Sequence, residues 1–446
     1  MVLPERVAAP PPAARPVAPP PPAEGPCALA LPGGVELPGL VGRIDRLQIA
    51  AQGDRARLVA ELSGPGAPAR MSTVSVDVTA AGEPAAPVTL AVGAAGVRII
   101  ATAAAAPDGL RTLSYGVRRV GTASADFGNA YRFVLDGAAS APVRSEQQLL
   151  EVDEVVAASE GDRLMAAAGG AVLDCYGVRC VGADRQYLGM TYHPKAAYEA
   201  SVVLPVNGVL LHQAVANVGC PAPSLNENAE GMPSLVDDGD VPAERCSSVR
   251  RERPYDIAIA LHGAHGFVAY RNATSVRGVT VTAEGVPVGE PVTIATGEVG
   301  APTVAFRGDA VTVVWAQRNS ARAPYSLRYI EWTRAAATPQ PPAPRVLTTG
   351  TTSAFAPSLV TVGDRRVLAW MEGDDRNAAV RVSSTALGPE HLADHAVTTS
   401  ATTAHARDPE LAVAGDRAWM AWSEYAAGQR RDQGNGRVRV SPLRLP

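Results

Sequence analysis

The sequence predicts an all-β protein, a β-propeller of roughly eight four-stranded blades, and three observations lead there. One unit is written three times near the C-terminus. Pro302, Gly308, Asp309 and Trp315 recur as Pro357, Gly363, Asp364 and Trp370, then as Pro409, Gly415, Asp416 and Trp422. Gly, Asp and Trp always fall 6, 7 and 13 residues after Pro. Two short apolar runs joined by a Gly-Asp pair read as a β-hairpin, because glycine supplies the backbone angle that a tight hairpin turn needs. The copies are 55 and 52 residues apart, long enough for four strands each. Helical periodicity is almost absent, the best stretch being 145–157.

Taken in order, residues 1–26 carry Pro4, Pro10 to Pro12, Pro16 and Pro19 to Pro22. Such a segment packs no core and reads as a disordered or polyproline tether. Strand patterning begins at Leu29. Hairpin turns are then expected at Gly53-Asp54, Asp108-Gly109, Gly161-Asp162, Asn207-Gly208, Gly263, Gly308, Gly363 and Gly415, in steps of 45 to 56 residues. Tyr270 stands seven residues after Gly263, at the Trp position. That makes eight units. Seven is the alternative, since the units at Gly109 and Gly208 are degenerate.

Beyond Trp422 only one strand, at 437–441, remains, so the last blade is one strand short. Residues 29–36 form a spare strand at the other end. A ring in which the N-terminal strand completes the C-terminal blade explains both facts, and it covers two exposed edges. Residues 27–446 are therefore expected to form one body.

Composition agrees and excludes some functions. Apolar residues make up 46% and aromatics 5%, which suits many thin Val, Ala and Leu strands. A net charge of −4 lacks the basic stripe that nucleic acid or an anionic membrane would require. No apolar run reaches the length of a spanning helix. A monomer is expected.

Five cysteines are present. Cys175 and Cys180 flank a hairpin bend, Cys220 and Cys246 bracket a polar loop, and both pairs are expected to be disulfides with Cys27 free. No zinc-type spacing occurs. Paired cysteines imply an oxidising compartment, extracellular or the cell envelope. No export signal is visible at residue 1; the favoured expectation is that the start is truncated, the alternative that the cysteines are reduced and buried.

The Pro-x5-Gly-Asp-x5-Trp unit resembles the degenerate propellers related to sialidases and to other bacterial secreted repeat proteins, and it implies fold only. The sialidase Asp-box appears once in damaged form, Ser124-Ala-Asp126-Phe-Gly128-Asn-Ala130-Tyr131, with Ala130 for Thr and Tyr131 for Trp. Neither that family's arginine triad nor its Tyr/Glu pair can be placed. The patterns of integrin-like, kelch and WD40 propellers are also missing.

Candidate site residues each carry a plainer structural reading. Trp315, Trp370 and Trp422 could stack sugars, but one position repeated in each blade is better read as filler between sheets. Asp309, Asp364 and Asp416 are expected to cap their hairpins. His262 and His265 offer two metal ligands without a third. The loop 221–245 has almost no β-pattern and is the most acidic segment. Glu227, Glu230, Asp237, Asp238 and Asp240 in it are candidate contacts for a cation or a basic partner. Their spacing is not that of an EF-hand, so no metal or cofactor is assigned, calcium being the only candidate.

Two functions follow. The preferred one is a non-catalytic propeller of the envelope or exterior that binds a protein or glycan through its loops. The alternative is a glycan-active hydrolase or lyase with its site at the ring's centre, where residues from distant blades leave no linear motif. An Arg with two carboxylates and a Tyr at one mouth of the channel favours the alternative. A channel of Ala, Val and Ser alone removes it.

Overall fold

The computed structural model describes residues 27–446 except 64–70, 93–99, 119–129, 138–139, 145–150, 162, 175–194, 207–208, 220–225, 228–232, 235–254, 334–340, 399–403 and 433–434. Almost every regular element in it is a β-strand, with two single 3-10 turns at Pro389–His391 and Ala393–His395. The hairpins of the repeat fold as their composition dictates. In the first full copy, Glu298–Arg307 pairs with Ala310–Arg318 and Arg307 faces Ala310, leaving Gly308 and Asp309 as a two-residue loop. Gly308 sits at φ +55, with Gly363 at +61 and Gly415 at +63, a left-handed conformation that side chains resist. The following aspartates are exposed and make no hydrogen bond to their hairpins. The glycine makes the turn, and the expected capping by Asp309, Asp364 and Asp416 is not seen.

Each repeat forms a four-stranded antiparallel sheet. Tyr255–His262, His265–Arg271, Ser275–Thr282 and Pro287–Thr296 make one, and Glu298–Arg307 opens the next. Ala354–Val362 and Ala404–Ala414 begin the two that follow. The first strand of every sheet touches the first strand of the next. The series runs from Val35–Gln52 through Ile100–Ala106 and Glu151–Glu160 to Ala404–Ala414, which touches Val35–Gln52 again. The ring is closed, with these inner strands about its axis. Glu151–Glu160, Arg163–Asp174, Lys195–Val206 and Val209–Gly219 belong to one sheet, the third. The segments flanking Asn207-Gly208 are thus its outer strands and not a new unit. Among the described residues the strands fill seven four-stranded blades. The stretch 145–157, the best helical pattern, enters the inner strand at Glu151.

Closure is as the sequence implies. Val35–Gln52 runs through two blades. Its start pairs with Gly436–Arg444 of the last one, Val35 opposite Val440 and Glu36 opposite Arg439. Its end pairs with Arg55–Ser63 of the first. Ala28–Leu29 adds a second contact to the same C-terminal strand. The glycine at 34 is required here, because φ is +68 and a Cβ would run into the Trp422 ring.

The repeated tryptophans fill the spaces between blades. Trp315, Trp370 and Trp422 are at most 3% exposed, and Tyr270, at the Trp position of the fourth blade, is 2% exposed. Trp315 shares one buried core with Phe267, Ala269 and Val276 of the blade before it. None of these rings is available to a ligand. Cys27 is free and fully buried, and burial pushes its thiol up to about 12. Cys175, Cys180, Cys220 and Cys246 lie outside the described residues.

Candidate functional site

An inner strand is hydrogen-bonded along one edge only, so its other edge needs partners from elsewhere. The repeat supplies them. Thr303 Oγ1 accepts a hydrogen bond from Leu359 N of the next blade at 3.0 Å, and Ser358 Oγ accepts one from Leu411 N at 2.9 Å. Both hydroxyls stand five residues before a turn glycine. The carboxylate of Glu154 does the same for Ile257 N from the third blade to the fourth.

Most inner strands also carry a bulge near their start, where the register slips between Ile44 and Arg46, Val152 and Glu154, Tyr255 and Ala258, and Arg407 and Glu410. The position seven residues before the turn glycine falls at this bulge. It holds Arg46, Glu154, Asp256 and Asp408 in four blades and Ala301 and Ala356 in two. Asp256, Ala356 and Asp408 there are left-handed at φ 48 to 49, the only non-glycine residues so placed among those described. Such backbone costs about 1–3 kcal/mol each, and it clusters at sites under functional constraint. The bulges turn their side chains toward one mouth of a central cavity of about 1140 Å³.

Arg46 of the first blade reaches past the second to Glu154 of the third, Nη2 to Oε2 at 2.6 Å, with side chains 17% and 6% exposed. Burial pushes the Glu154 carboxyl up to about 7 despite the pull of Arg46, and Asp256 adds to the rise. Glu410 stands five residues before its turn glycine, where the two preceding blades carry Ser358 and Thr303. It faces the cavity and bonds to the Ser358 hydroxyl. Burial pushes it up to about 8; Arg46 opposes the shift and Asp408 adds to it. Asp45 pairs with Arg43 at 2.7 Å, Asp408 with Arg431 at 3.8 Å, and Asp256 with Arg271. Arg271 lies over the Tyr255 ring at 4.5 Å. Arg431 also donates to the Ile44 carbonyl at 2.8 Å, joining the last blade to the first beside the mouth.

Much of the remaining wall is alanine, including Ala50, Ala104, Ala157, Ala305 and Ala412, with Gln48, Gln52, Ser159, Arg307 and Thr361 among the other lining residues. At the far mouth His262 Nδ1 meets Glu160 at 2.9 Å, and Gly263 N donates to the same carboxylate at 2.6 Å. His262 is thus engaged with the third blade. Among the described residues no three of His, Cys, Asp or Glu come together as metal ligands.

A folded-state value above the unfolded one means that folding takes up a proton. Both Glu410 and Glu154 therefore favour the fold at low pH, and that contribution is lost as pH rises toward 7 to 8. The Glu410→Gln variant should show a melting temperature that falls less between pH 6 and pH 9 than that of the parent. Equal slopes in thermal scans would show that Glu410 titrates normally.

The acidic loop is largely undescribed. Glu227 belongs by backbone to a two-stranded ladder, Asn226–Glu227 with Pro233–Ser234. Glu230, Asp237, Asp238 and Asp240 lie outside the described residues, as do Ser124, Asp126 and Gly128 of the damaged Asp-box. Arg46, Glu154 and Glu410 were missed in the sequence. A signal existed for one of them, since aligned copies read Thr303, Ser358, Glu410 at one position.

No family model matches this chain, and no curated protein does. Solved structures match by fold. An α-L-arabinofuranosidase, Arb93A of Fusarium graminearum, is 9% identical over 92% of this chain and 97% of its own, with a TM-score of 0.44. The β-propeller domain of the Trilobed protease of Pyrococcus furiosus is 7% identical over 89% and 96%, at 0.43. The sialidase of Trypanosoma rangeli is 8% identical over 93% of this chain, at 0.40, and the chain spans 59% of that protein's length.

Proposed function

We propose that the protein is a binding propeller whose ligand seats at the polar mouth of the central channel. The carrying observation is convergence. Inner strands of the first, third, fourth, sixth and seventh blades deliver Arg46, Glu154, Tyr255, Ser358 and Glu410 to one cavity whose wall is otherwise rich in alanine. Concave sites on which polar groups converge are where ligands bind. An extracellular or envelope location remains part of this reading, supported by the cysteine spacing.

A second reading, glycan hydrolysis, is favoured by the same cluster, which combines an arginine, two carboxyls and a tyrosine. Glu410, protonated near neutrality, would give its proton to the glycosidic oxygen as the bond to the anomeric carbon breaks. Water would add to that carbon and return a proton to the carboxyl pair. Against it stands Glu154, whose two oxygens are already taken by Arg46 and Ile257 N.

Peptide and glycan arrays probed with the parent protein and with Ala258→Trp, which fills the mouth, separate these outcomes. Binding abolished by the tryptophan supports the channel, and binding that survives it overturns the proposal. Reducing ends released from a bound glycan would assign the hydrolase instead.

A further inference from the structure

Four of the six carboxylates that line the cavity have an arginine partner and a fifth has a histidine. Asp45 has Arg43, Glu154 has Arg46, Asp256 has Arg271, Asp408 has Arg431 and Glu160 has His262. Glu410 has none among the described residues, only the Ser358 hydroxyl and the more distant charge of Arg46. It is also where the repeat breaks its own rule. At this position Thr303 and Ser358 serve the neighbouring strand, whereas Glu410 presents a longer, acidic side chain to the cavity.

We propose that the mouth receives a basic side chain, lysine or arginine, from a protein partner, with its charged head on Glu410 and its methylenes along the alanine wall. This rests on the channel-binding reading above. Long basic side chains bury their stems on apolar surface and keep the head on a polar group. A sugar fits less well, because sugars bind on open aromatic faces. The lining aromatics Tyr255 and Phe306 are engaged by Arg271 and by the His262 ring. Hydrolysis would need Glu410 protonated, whereas this pairing needs it ionised, so the two assignments exclude each other.

Capped pentapeptides with a central arginine, lysine or citrulline, followed by fluorescence anisotropy, test the assignment. At pH 9, where Glu410 is ionised, arginine and lysine should bind roughly 30-fold or more tightly than the neutral citrulline, and Glu410→Gln should erase the difference. The groups facing Glu410 are Arg46, Asp408 and Ser358. Arginine keeps its charge throughout, and Glu410 carries a proton below about 8. Affinity of the parent should therefore rise by up to roughly 100-fold between pH 6 and pH 8, at tenfold per unit. That measurement stands even if the variant folds poorly. Equal binding of arginine and citrulline peptides, or a flat pH profile, overturns the proposal. If both peptides bind equally and Ala258→Trp abolishes both, the channel reading survives without the basic side chain. If Ala258→Trp changes neither, both fall.

Discussion

Arg46→Ala is expected to destabilise the protein by about 3–5 kcal/mol, the usual consequence of leaving one member of a buried ion pair alone. The residue left behind is Glu154, 6% exposed and still bonded to Ile257 N. A buried carboxylate without its cation escapes by taking a proton. The loss should accordingly be smaller at pH 5 than at pH 9 in urea unfolding. Removing the charge at both ends should recover most of it. In Arg46→Met with Glu154→Gln, the amide oxygen still serves Ile257 N while no charge is buried. If the two single losses simply add in the double variant, the side chains do not act as a pair.

Removal of residues 1–42 should have the larger effect, loss of the cooperative transition altogether. These residues supply Leu37 and Leu40, both fully buried, and, among the described residues, the only partners for the outer edge of Gly436–Arg444. The two leucines alone contribute about 3–6 kcal/mol of apolar burial, a large part of a typical folding stability of about 5–15 kcal/mol. The exposed edge would then invite pairing between chains. Light scattering should show aggregation, and a synthetic peptide of residues 27–42 added in trans should suppress it. A shortened protein that melts sharply as a monomer would mean that the last blade is stable with three strands. Gly34→Val tests the same seam by one residue, since the Trp422 ring occupies the space its side chain would need.

Much of the fold was legible because it is written locally. The Pro, Gly and Trp spacing encodes a bulged inner strand, a left-handed turn and a filler ring, each of which needs only neighbours in sequence. The unit at Asn207-Gly208 misled, since an Asn-Gly turn between apolar runs looks the same whether it joins inner or outer strands. The site was less legible. Arg46 and Glu154 are 108 residues apart and meet only because the ring skips a blade. The acidic loop drew attention by composition, which reports solvation before it reports binding. Glu410 could have been found, because comparing copies position by position shows a carboxylate where two hydroxyls precede it.

The shared strand Val35–Gln52 also fixes an order of events. Glu36 and Arg437, which meet across the seam, are 401 residues apart in the chain. On a ribosome adding roughly 5–20 residues per second, the N-terminal strand waits tens of seconds for its partner to be made. During that time its apolar face and its unpaired edge are exposed. The final pairing closes the longest loop in the molecule, so the entropy of that loop falls on the last step. Refolding should therefore be slowest at this seam, and a circular permutant that opens the ring at an exposed turn such as Gly263 should make the pairing local and fold faster.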